Sequence, residues 1–118
     1  MDKSTEQARS FLPLTEATYA ILVSLAEPRH GYGIMLHVAE ASGGDIRIGP
    51  GTLYGALTKL LEQGLIRRAG EDGAGDERRK RYVLTDFGRR VVELESSRLE
   101  RLFRLGRSIL AWKEDNHG

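Results

Sequence analysis

The chain contains no cysteine. That excludes disulfides, thiolate zinc sites, cysteine nucleophiles and thiol redox sensing together. Long apolar runs are missing too: nothing approaches the ~18 consecutive apolar residues that span a bilayer. The opening, Met1 to Phe11, is polar and lacks the apolar stretch of a secretory signal, so a cytoplasmic protein without membrane contact is expected. Histidine is scarce; His30 falls in a turn and His117 at the end of the sequence, so with His37 they form no metal-binding face and no metal is expected. Net charge is almost absent at +1, so a nucleic-acid partner has to be argued from local arrangement rather than from global charge. Catalytic patterns are lacking as well. Gly49-x-Gly51-x-x-x-Gly55 has the wrong spacing for a dinucleotide loop, and there is no Walker lysine, nucleophile elbow or paired carboxylate site. No enzyme and no cofactor are expected.

What is present is 118 residues with 40% hydrophobic and 30% charged content, enough for one modest core. The most informative stretch is Gly49 to Leu65. Leu53, Leu57, Leu60 and Leu61 recur at i, i+4, i+7 and i+8, which predicts a helix with one apolar face. Pro50 suits the first helical position and Gly64 the end. The opposite face carries Gly51, Thr52, Gly55, Thr58, Lys59 and Glu62. Each glycine there costs about 1 kcal/mol relative to alanine, which suits a backbone approached by something external. The alternative is that Gly51 belongs to the cap and Gly55 is a tolerated accident.

Upstream, Thr15 is read as the cap of a helix that Pro28 stops near Glu27, with Tyr19, Leu22, Leu25 and Ala26 inward. His30-Gly31-Tyr32-Gly33 reads as a turn, Ile34 to Ser42 as a second helix ended by Gly43 and Gly44, and Asp45 to Ile48 as a small strand. Downstream, Leu65 to Ala69 and Lys80 to Leu84 read as a hairpin, and Thr85-Asp86 opens a long helix to about Lys113, spanning roughly 40 Å. Leu99, Leu102, Phe103, Leu105, Ile109, Leu110 and Trp112 crowd its end over more than one face, which points to a homodimer interface. A helix folded back on its own domain is the alternative. Phe103 and Trp112 are candidates for an effector pocket at that seam, or simply for interface core.

The fold class is therefore mainly α with a small β-hairpin: a winged helix-turn-helix plus a long C-terminal dimerisation helix. Residues 1–12 form a flexible or partly helical arm, 13–84 the winged helix, 85–113 the dimerisation helix and 114–118 a tail. In such a fold the second helix of the pair enters the major groove and the hairpin follows the backbone. The free N–H groups of Gly51 and Thr52 suit a phosphate, and Thr52, Tyr54, Thr58 and Lys59 offer hydroxyl and ammonium contacts. The hairpin adds Arg78-Arg79-Lys80-Arg81, although Asp72, Asp76 and Glu77 beside it allow a self-neutralised loop. Alternation along a β-ribbon sets Arg79 and Arg81 opposite Lys80 and Tyr82, so only some can meet one backbone.

These residues resemble a known family. His30-Gly31-Tyr32-Gly33, then Gly49-Pro50-Gly51-Thr52-Leu53-Tyr54 with Ala56-Leu57 and Gly64-Leu65-Ile66, then Tyr82-Val83-Leu84-Thr85-Asp86-Phe87-Gly88, look like the PadR transcriptional regulators over about residues 13–92. The resemblance implies a homodimeric repressor on a double-stranded, inverted-repeat operator. It also implies dimerisation through a single C-terminal helix, as in the shorter branch, and release by a small aromatic effector. By the same resemblance, Tyr32, Thr52, Tyr54 and Lys59 face DNA. Gly55, where the family often has proline, and the acidic hairpin tip depart from its pattern. A winged helix that binds protein instead of DNA is the competing reading.

Overall fold

Helix boundaries follow local caps. The computed structural model describes residues 3–73 and 79–117. A first helix, α1 (Lys3–Arg9), precedes α2 (Glu16–Ser24), whose cap is Thr15: its Oγ1 accepts the Thr18 N–H at 3.1 Å. Helix α2 ends short of the expected Glu27. The Arg29 Nε donates to the Ser24 carbonyl at 2.7 Å, and the Ser24 Oγ donates to the Ile21 carbonyl at 2.8 Å, tying off the last turn.

The expected turn at 30–33 is instead a strand followed at once by a helix. Strand β1 (Arg29–His30) is extended, and α3 (Gly31–Ala41) begins directly after it. Gly43 and Gly44 close α3 at φ 63° and 84°, conformations that side chains rarely adopt. The expected strand at Asp45–Ile48 does not form. Ser42 Oγ takes the Ile46 N–H at 2.9 Å and Ile48 is buried, so this segment is an anchored loop rather than a sheet edge.

Helix α4 (Pro50–Glu62) starts as the sequence suggests, with Gly49 as N-cap and Pro50 at the first helical position. Leu53, Leu57 and Leu60 are buried along one face. Gly64, at φ 74°, turns the chain into β2 (Ile66–Asp72), which pairs with β3 (Arg79–Leu84). The antiparallel sheet has the order β1-β3-β2, so the third strand comes from Arg29–His30, opposite Tyr82 and Arg81. A bulge between Arg68 and Gly70 shifts the register: Arg68 faces Tyr82, Gly70 faces Arg81, Glu71 faces Lys80 and Asp72 faces Arg79. Of the basic run and its acidic neighbours, Asp76, Glu77 and Arg78 lie outside the described residues.

Helix α5 (Asp86–His117) is 32 residues long, about 48 Å at 1.5 Å per residue. Thr85 caps it: its Oγ1 accepts the Gly88 N–H at 2.9 Å while donating to the Gly64 carbonyl at 2.7 Å. Gly88 itself lies against Leu65, where a Cβ would stand 2.0 Å from the carbonyl oxygen. This joint fixes the end of α4 to the start of α5.

The first turns of α5 complete the core, with Val91 fully buried, and they also receive the N-terminal arm. Ala8 is buried, Phe11 and Phe87 meet edge to face at 5.9 Å between centroids, and Arg90 donates to Thr5 Oγ1. Glu95 is only 1% exposed. It accepts the Leu14 N–H at 2.7 Å and the Arg98 Nε at 2.5 Å. The Arg98 bond holds its carboxyl below the ordinary range, against the opposing effect of burial.

Candidate nucleic-acid interface

Burying the leucines of α4 turns Gly51, Thr52, Gly55, Thr58 and Lys59 toward solvent. A Cβ built on Gly51 or Gly55 would meet nothing within 4 Å. The chain's own packing therefore does not require glycine at either position. At the N-terminus, Gly49 makes no side-chain cap bond and Pro50 has no N–H, which leaves the first-turn amides of Gly51 and Thr52 at the positive end of the helix. Thr58 Oγ1 donates back to the Tyr54 carbonyl at 3.0 Å, so its donor is engaged within the helix and its lone pairs remain for a partner.

The two flanks of α4 differ. On one, Tyr54 (48% exposed) and Tyr32 of α3 (61% exposed) line a cleft of about 360 Å³ together with Arg79 and Lys80 of the hairpin. Tyr82, His30 and Gly31 complete its walls. The arrangement gathers four of the expected contact residues from three elements: hydroxyls and cations around one concave surface, suited to an anionic backbone. On the other flank, Lys59 lines a separate cleft of about 190 Å³ beside Pro13, Thr15 and Gln63. Lys59 is thus not brought together with the hairpin cations.

Arg81 also stands apart. It is half-buried, and its Nη2 donates to the Ala69 carbonyl at 3.3 Å across the bulge, close against Gly70. Its charge is partly committed to holding the hairpin's shape. Arg79 and Lys80 are exposed, with acidic residues opposite both in the strand register.

At the far end of α5 every described side chain is exposed, including Leu99, Leu102 (51%), Phe103 (66%), Leu105, Ile109 and Leu110. Trp112 continues the helix, but its side chain lies outside the described residues.

Sequence reasoning passed over two residues. A Cβ on Gly31 would lie 2.6 Å from the Tyr54 hydroxyl and 2.9 Å from ring atoms Cε1 and Cζ, so the glycine of one motif makes room for the tyrosine of another. Glu95 falls four residues after Val91, on the same apolar stripe of α5, and a carboxylate in that register was the available signal.

Residues 21–94 match the model of the transcriptional regulator PadR-like family. The chain belongs to that family. PadR-like proteins are regulators of transcription rather than enzymes. A PadR family transcriptional regulator from Eggerthella lenta DSM 2243 is 30% identical, with 89% of this chain and 86% of that one aligned at a TM-score of 0.67. Bacillus subtilis PadR, whose crystal structure is in complex with operator DNA, is 29% identical at a TM-score of 0.60, over 69% of this chain and 46% of that one. An uncharacterised 37.1 kDa protein in transposon TN4556 of Streptomyces fradiae is 39% identical over 88 residues, which are 74% of this chain and 24% of that protein. The present chain thus spans about a quarter of that relative.

Proposed function

We propose that this PadR-family regulator binds an inverted-repeat DNA operator as a homodimer and represses transcription in the cytoplasm. In this reading α4 enters the major groove, and the cleft between Tyr32, Tyr54, Arg79 and Lys80 takes the adjacent phosphates. The observation that carries it is the outward face of α4: two glycines with open space above them, next to uncapped first-turn amides. Such a face suits close approach of a DNA backbone and of base edges. The Bacillus subtilis relative, solved with operator DNA, adds support by analogy. The apolar distal half of α5 supplies the second copy's interface, and a small aromatic effector bound beside Phe103 at that seam releases the operator.

Selection of bound sites from a random duplex library at near-physiological salt tests the function. The expected product is an inverted repeat whose half-site centres lie about one helical turn, ~34–36 Å, apart. Recovery of no sequence above background would contradict it and favour a winged helix that binds protein. On the selected duplex, Thr52→Ala and Tyr54→Ala are each expected to weaken binding by about 1–3 kcal/mol. Lys59→Ala and Lys80→Ala should instead weaken all sequences alike and lower the salt slope by about 0.9 for each lost phosphate. Unchanged affinity in all four variants would rule out this face.

A further inference from the structure

We infer that Gly31 is a positioning residue for DNA recognition: it sets where the Tyr54 ring stands on the recognition helix. This rests on the proposed DNA-binding role of α4. Gly31 is buried at the start of α3, and its Cα faces the ring of Tyr54 one helix away. Any side chain there would bring a carbon to 2.6 Å from the hydroxyl and 2.9 Å from Cε1 and Cζ, well inside van der Waals contact. Tyr54 is half exposed, so the ring can swing away with little loss of packing. An alanine at 31 therefore moves the tyrosine rather than the fold. Displacement of a recognition group by about 1 Å is enough to degrade a directional contact.

The neighbouring glycines sharpen the assignment. A Cβ on Gly33, in the same motif, would meet only the Arg29 Cβ at 4.0 Å, an ordinary contact. One on Gly51 or Gly55 would meet nothing. Among these four glycines, Gly31 alone is closed in by a residue of the proposed interface. It ties the spacing of the two helices to the geometry of the contact, so that α3 acts on DNA through α4.

A double-mutant cycle on the full chain tests this, using the duplex selected by wild type. Gly31→Ala and Tyr54→Ala are each expected to weaken binding about tenfold, and the double variant to stay within about twofold of the weaker single. The base pairs at which Gly31→Ala loses discrimination should be those at which Tyr54→Ala does, with the salt slope of Gly31→Ala equal to that of wild type. Losses that multiply to about a hundredfold would overturn the inference, because Gly31 would then act independently of Tyr54. So would a sequence profile of the loss that differs from that of Tyr54→Ala. If Gly31→Ala fails to fold, the double variant, which removes the ring, should fold again; a double variant that also fails overturns the coupling. A wild-type chain that selects no DNA overturns both this inference and the function on which it rests. Wild-type binding with multiplying losses overturns only the role of Gly31.

Discussion

Residues 86–98 and 99–111 belong to one uninterrupted helix and draw on similar apolar side chains, yet they have opposite surroundings. In the first half, Val91 and Glu95 are buried, and Phe87 and Leu94 pack against the core. In the second, every side chain is exposed, among them five leucines, isoleucines and phenylalanines from Leu102 to Leu110. Composition does not separate the two; neighbours do. The proximal half meets α1, α2 and the hairpin, whereas the distal half extends beyond the body of the domain. That exposed apolar surface is what the proposed homodimer would cover.

The largest expected effect comes from placing a charge in each half. Val91→Asp buries a carboxylate without a partner and should cost about 4 kcal/mol or more, read as the midpoint of urea unfolding. Leu102→Asp with Ile109→Asp should change the stability of the isolated chain by no more than about 0.5 kcal/mol but turn a dimer into monomers in sedimentation. An intact dimer would remove the contrast between the halves.

The two helical glycines draw the same line at smaller scale. Gly88→Ala drives a methyl toward the Leu65 carbonyl, a backbone atom that cannot step aside, and should cost about 3 kcal/mol. At Gly106 a Cβ would meet nothing within 4 Å, so Gly106→Ala should stabilise the helix by about 0.5–1 kcal/mol in thermal unfolding. If Gly106→Ala instead weakens dimerisation, the partner approaches at that point, and the interface is thereby located.

The smallest effect is a pH dependence confined to the proximal half. The folded carboxyl of Glu95 titrates below its ordinary value of 4.5, so its contribution is full above that pH and fades as pH falls through the lower folded value. Glu95→Gln should therefore flatten the acid limb of the stability curve while leaving its shape above pH ~5 unchanged. An acid limb identical to that of wild type would mean that Glu95 is not held as a carboxylate.

Much of this architecture could be read from the sequence, and the misses share one cause. Thr15, Gly49-Pro50, Gly64 and Thr85 are local signals, acting within a few residues, and the helix ends that they mark lie where the sequence indicates. The strand Arg29–His30 has no local signal, and His30 reads as part of a turn, because the strand exists only by pairing with Tyr82 and Arg81, some fifty residues on. Asp45–Ile48 looked extended and stayed a loop because Ser42 and the core, not a strand, satisfied it. The cleft shows the same division. Tyr54 is legible as a hydroxyl on the recognition helix, Arg79 and Lys80 as members of a basic run and Tyr32 only through the family resemblance, but their convergence around Gly31 depends on how α3 meets α4 and the hairpin. In the sequence Arg81 is one of the candidate DNA contacts in a basic run, and only the bulge reveals its bond to Ala69.

The most direct measurement is sedimentation equilibrium of the wild-type chain and of Leu102→Asp with Ile109→Asp, each with the selected duplex. We expect two wild-type chains on each inverted repeat, and single chains of the variant on isolated half-sites with much weaker binding. A wild-type chain that binds the duplex as a monomer, with the same affinity as the variant, would contradict the symmetric placement of two α4 helices on DNA.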